Sequence, residues 1–176
     1  MWWEGDVDHV NPKKFDFRRR MLAYDERKVK ILELYAGVGY LSAAVYVRAY
    51  DEVVMVEKDV SHFRRLVRRV GRFAGVRYYR KDNADFIRED LMAHGDFTAV
   101  DFDAWGTPMA TVALFFEHVL LRRQDPFLLL MTDGALLAAR RRGAVNWRKY
   151  YGLGPVSYTH LRAHETPEHL VCRLLL

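Results

Sequence analysis

Two carboxylates one residue apart, Asp101 and Asp103, open the run Asp101-Phe102-Asp103-Ala104-Trp105-Gly106-Thr107-Pro108. Residues i and i+2 of a strand share a face, so these two charges would lie side by side. An aromatic ring, a glycine turn and a proline suited to a helix's first turn follow them. That order makes a small polar pocket with a stacking surface. A capped strand-to-helix turn is the plainer alternative. Upstream, Glu33 precedes Ala36-Gly37-Val38-Gly39. Glycines let a backbone turn sharply and approach a ligand closely. The helix that follows would offer free N–H groups. Glu57 stands 20 residues beyond Gly37, where an acidic side chain can accept both hydroxyls of a ribose. Asp82 could accept from an adenine amino group or cap the next helix, with Asp85 its rival for either role.

All these residues stand in or just after short β-rich runs. Such runs cover residues 29–35, 53–56, 76–79, 97–102 and 127–131. Helical patterns fill 41–50, 60–73, 84–93 and 108–122, and another helix begins over 135–141. Residues 11–28 are polar and basic, with a weak apolar stripe at Phe15, Met21, Leu22 and Tyr24. The alternation predicts an α/β fold, a doubly wound and mostly parallel sheet with helices on both faces. Ligands of such sheets bind at the carboxyl ends of the strands, near the topological switch point.

Composition agrees with one ordinary domain. The chain has 176 residues, 51% of them hydrophobic and 29% charged, which excludes a disordered or collagen-like polymer. The longest apolar run, 112–121, is too short to span a bilayer and is interrupted by Glu117 and His118. The N-terminus lacks the pattern of a signal peptide, so a cytoplasmic location is expected. A single cysteine excludes an intramolecular disulfide or a cysteine zinc centre, and no metal site is expected.

The order acidic-x-x-Ala-Gly-x-Gly, then Glu57, Asp82 and Asp-x-Asp-x-aromatic-Gly-Thr-Pro, resembles the class I S-adenosylmethionine-dependent methyltransferases. The resemblance spans residues 29–134. The last motif is similar to that of the tRNA guanine-N2 dimethyltransferases, with Ala104 in place of their usual proline. The resemblance implies S-adenosylmethionine as cofactor. Glu33, Gly37 and Gly39 would cradle its methionine part, Glu57 its ribose and Asp82 its adenine. It also implies that Asp103, with the Ala104 carbonyl, holds the target amine. Trp105 would stack on the target base, and Asp101 would orient the methionyl amine or the substrate. A Rossmann oxidoreductase fits less well, because Ser42 stands where the third glycine belongs and Glu33 lies inside the first strand. A small-molecule methyltransferase and a catalytically silent nucleic-acid-binding module remain as rivals.

The net charge is +5, with 21 arginines against 7 lysines. A basic balance favours polyanions such as nucleic acid, and a solvated arginine-rich surface accounts for the charge equally well; the resemblance implies RNA, namely tRNA, as the partner. In Ser61–Phe73, Arg64, Arg65, Arg68, Arg69 and Arg72 form one face, as candidate phosphate contacts. Phe63, Leu66, Val67, Val70 and Phe73 form the other. Arg18–Arg20 and Arg140–Arg142 are further clusters.

The tail has another origin. VSYTHLRAHET (156–166) resembles a translated transposase-type sequencing adapter, and LVCRLLL (170–176) the primer that follows it. Three residues between them stand where an index would sit. The expected organisation is a basic extension over 1–28, a cofactor-binding domain over 29–155 and an artefact over 156–176. The domain is expected to be C-terminally truncated, with an exposed sheet edge and lowered stability. Cys172, His160, His164 and His169 would then carry no function.

Overall fold

The computed structural model describes residues 12–95, 97–119 and 126–132. The expectations for 135–141, Arg140–Arg142 and the adapter-like tail lie outside them.

Five parallel strands form one sheet, β1 (Lys30–Leu34), β2 (Glu52–Val56), β3 (Val76–Tyr79), β4 (Ala99–Asp103) and β5 (Leu128–Thr132). Their spatial order is β3-β2-β1-β4-β5. The chain therefore runs outward from β1 to β3 and then crosses back to β4, putting the switch point between β1 and β4. The register pairs Glu33 with both Met55 and Asp101, and Asp103 with Thr132.

Side chains of β1, β2 and β4 bury both faces, as parallel strands between two helical layers must. One face carries Ile31, Val53, Met55, Ala99 and Leu130 into a core with Leu41, Tyr46 and Leu66. Those three come from the segments after β1 and β2. The other face carries Leu32, Val54, Val100 and Phe102 against Phe86, Ile87 and Phe115. The latter belong to α4 (Asn83–Glu89) and α5 (Met109–Val119).

The helices differ from expectation in several places. The first helix after β1 is only α2 (Tyr40–Ala44), and a 3-10 turn at Tyr46–Arg48 follows it. Val45 breaks the helix at φ −126° and ψ −61°, and Tyr46 turns fully into the core. Likewise α4 stops at Glu89, and Leu91–His94 continue as a 3-10 turn. Residues expected as a basic extension form α1 (Pro12–Met21), whose Phe15 and Phe17 pack on the first core. The segment 60–73 is helical only as far as Val70, in α3 (Val60–Val70).

Candidate functional site

The turn after β1 is shaped by its two glycines for different reasons. Gly37 has φ +56° and Gly39 φ +76°, both in the left-handed region that glycine adopts without steric cost. A methyl group on Gly39 would lie 2.5 Å from Leu66 Cδ1, so that glycine lets the turn pack on α3. A methyl group on Gly37 would meet nothing nearer than the Tyr35 carbonyl at 4.0 Å. Gly37 therefore presents bare backbone to open space, the form of a cradle.

Glu57, buried at the end of β2, closes that turn. Its Oε2 accepts from Gly37 N and its Oε1 from Asp59 N, both at 2.8 Å. A carboxylate can accept about four hydrogen bonds, so capacity for ligand hydroxyls remains. Asp59 caps α3 by accepting from His62 N, and that bond holds its carboxyl below the usual range.

Glu33 is buried and accepts from Ser42 Oγ at 2.5 Å. Burial pushes its carboxyl well above the ordinary value, against the opposing effect of the serine. Ser42 is thus the buried partner of Glu33, a role that its departure from a glycine pattern did not disclose.

Asp82 follows β3 and caps α4, accepting from Ala84 N at 2.9 Å. Its other oxygen lies 3.4 Å from Lys58 Nζ. Of the two roles open in the sequence, the structure displays the cap. A neighbour missed by sequence reasoning is Asn83, whose Oδ1 accepts from Tyr35 N at 3.3 Å. Tyr35 holds φ +64° and hydrogen-bonds Thr111 through its hydroxyl at 2.5 Å, tying the end of β1 to α4 and α5. A non-glycine residue held there stores strain of about 1 kcal/mol.

The two carboxylates of β4 share the α1 face of the sheet but have different surroundings. Asp101 is fully buried. Arg18 Nε donates to its Oδ2 at 2.9 Å and Arg18 Nη2 to its Oδ1 at 2.8 Å. Tyr46 also donates to Oδ2, and Arg18 Nη2 reaches Thr132 Oγ1 at 2.8 Å. Burial alone would lower the Arg18 pKa, yet the facing Asp101 holds it above the ordinary value. Burial, reinforced by Asp101, raises the Tyr46 pKa strongly. The partners that Asp101 displays are thus protein groups of α1 and of the segment after α2. Asp101 anchors Arg18.

Asp103 is 12% exposed and pairs with Lys14 through Oδ2. Its Oδ1 is buried without a hydrogen bond, 3.9 Å from Arg18 Nη2. Trp105 is 87% exposed, at the same strand end. Lys14 and Arg18 are four residues apart on α1 and so share a helical face. That spacing is the signal that could have found them.

Arg69 differs from the rest of the arginine face. Arg69 donates to the Val38 carbonyl and its guanidinium lies 3.6 Å over the Tyr40 ring. It braces the glycine turn rather than facing solvent alone. Arg65, Arg68, Arg69 and Arg72 line a shallow open groove of about 470 Å³. Arg18 is buried and does not belong to a surface patch.

No protein-family model matches the sequence, and no curated protein matches it. Solved structures do. The N-methyltransferase NodS from Bradyrhizobium japonicum WM9, in complex with S-adenosyl-l-homocysteine, superposes with a TM-score of 0.61 at 13% identity. The match covers 81% of this chain and 71% of that one. The fold is the Rossmann-like methyltransferase fold. Other proteins with this methyltransferase fold act on different classes of molecule. The 23S rRNA methyltransferase ErmE matches with a TM-score of 0.52 at 15% identity, over 75% of this chain and 49% of its own. Phosphoethanolamine N-methyltransferase 1 from Haemonchus contortus matches at 0.53 and 11% identity, over 72% of this chain and 27% of its own. The methyltransferase fold thus frames the site, and the substrate must be argued from side chains. Among the described residues no helix is long and apolar enough to cross a membrane, and no cluster fit for a metal ion occurs.

Proposed function

We propose that the chain is an S-adenosylmethionine-dependent methyltransferase acting on an exocyclic amine of a nucleic-acid base, namely guanine N2 of tRNA. The observation that carries this reading is the open face of Gly37 beside Glu57, with Asp103 across the switch point and its Oδ1 lacking a hydrogen bond. The residues present fit the cofactor. Glu33, Gly37 and Gly39 would hold its methionine part, Glu57 its ribose hydroxyls and Asp82 its adenine amino group. When bound, S-adenosylmethionine supplies an electrophilic sulfonium methyl.

This chain's residues supply the positioning, which accounts for much of such catalysis. Asp103 would accept N–H bonds from the target amine, together with the Ala104 carbonyl, and stabilise the positive charge that develops on nitrogen. Trp105 offers an exposed ring for an unstacked base. Asp101 serves by holding Arg18. Arg64, Arg65, Arg68 and Arg72 would meet phosphates, while Arg69 supports the turn.

The test is transfer of a labelled methyl group to tRNA transcripts, followed by nucleoside analysis. Label on guanine, lost with Asp103→Asn, is expected. Label confined to small amines would overturn the nucleic-acid assignment. No transfer and no cofactor binding would overturn the enzyme assignment.

A further inference from the structure

The geometry points to Lys14 as an internal occupant of the acceptor subsite, a releasable latch that the target amine displaces from Asp103. This rests on the methyltransferase reading above and names a control on its acceptor side.

Three observations support it. First, Lys14 Nζ sits on Oδ2 of the carboxylate assigned to the acceptor amine. Asp103 ends β4, whose Asp101 pairs in register with Glu33 of β1, so Lys14 meets the sheet beside the β1–β4 switch point. Second, the helix is held unevenly. Arg18 is 1% exposed and grips fully buried Asp101 with two parallel bonds, whereas Lys14 is 29% exposed with a single carboxylate contact. A forked guanidinium pair resists release far better than a point contact of an ammonium. The two residues lie one helical turn apart, so the Lys14 end can leave while the Arg18 end stays. Third, Lys14 leaves Asp103 Oδ1 without a hydrogen bond. A planar NH2 group can donate to the carboxylate once Lys14 has left, and Arg18 stays nearby as its counter-charge. The latch thus selects an acceptor whose N–H donors reach the oxygen that Lys14 leaves unsatisfied.

The direct test is the acylation rate of Lys14, read by peptide mass spectrometry on the full chain and on its Asp103→Asn variant, each normalised to the same lysine in the urea-unfolded chain. Lys14 is expected to react about fivefold more slowly in the parent chain than in the variant, from a partly buried ion pair. Saturating guanosine monophosphate, with S-adenosylhomocysteine present, should speed Lys14 acylation in the parent chain. Inosine monophosphate, which lacks only the exocyclic amine, should not. Equal Lys14 rates in the unliganded parent and variant, or equal effects of the two nucleotides, would overturn the latch. Calorimetry with S-adenosylhomocysteine separates this failure from that of the parent reading. Binding with an unlatched Lys14 overturns the latch alone. Absence of binding overturns the methyltransferase reading, while the Lys14 rate still reports the ion pair.

Discussion

The sheet edge above β1 and β2 and the edge above β4 are held by opposite means. Above β1 and β2 the parts are close in sequence and mostly backbone. Glu57 ties Gly37 N to Asp59 N, Asp59 starts α3, and Leu66 of α3 packs under Gly39. Above β4 the two carboxylates are met by cations from α1, 83 and 89 residues away in the chain. The first region is a self-contained cradle. The second is assembled by tertiary packing and can be altered by moving one helix. An enzyme that needs a fixed cofactor and an exchangeable acceptor is served by that division.

The largest effect should come from cutting the tertiary clamp. Arg18→Met leaves Asp101 charged and buried without its counter-ion, which costs about 3–5 kcal/mol. Urea denaturation should show this loss, with most of it recovered when Asp101→Asn is added. A loss below about 1 kcal/mol, the scale of a surface pair, would break the contrast, because the β4 edge would then stand without α1.

The two glycines sharpen the cradle side. Gly39→Ala forces a methyl onto Leu66 and should cost about 1–3 kcal/mol. Gly37→Ala meets open space and should cost about 1 kcal/mol from its positive φ alone, yet it should weaken S-adenosylhomocysteine binding more. The reverse ordering in melting and titration would mean that Gly37 faces protein rather than ligand.

Glu33 gives the smallest effect and a pH signature. Its folded carboxyl is raised above the unfolded value, so its contribution is fully present below the unfolded pKa. That contribution is lost as pH rises through the folded value. Glu33→Gln stays neutral and should remove this loss. The variant's advantage in unfolding free energy should grow as pH rises above the ordinary carboxylate range. Parallel stability profiles would mean that burial does not set the state of Glu33.

Much of the scaffold was legible because it follows from local pattern. Each β-rich run became a strand within two residues of its expected ends, and Gly37, Gly39 and Glu57 came together as their spacing implied. The helices after β1, β2 and β3 are shorter than their patterns imply. Val45 breaks the first so that Tyr46 can reach Asp101, a tertiary contact that no window of residues displays. The same limit hid Arg18. In sequence it belongs to a basic triplet, and only the fold reveals the carboxylate that it meets. Arg69 looked like its neighbours on α3 until the turn after β1 brought Val38 and Tyr40 beneath it.

Calorimetric titration of the full chain with S-adenosylmethionine and S-adenosylhomocysteine, repeated with Glu57→Gln, tests the cradle most directly. The expected result is saturable binding of both ligands by the parent chain and a loss of about 1–3 kcal/mol in the variant, whose fold is retained by circular dichroism. A folded parent chain that binds neither ligand, or a variant that binds both as tightly, would contradict the assignment of the Gly37–Glu57 cradle as the cofactor site.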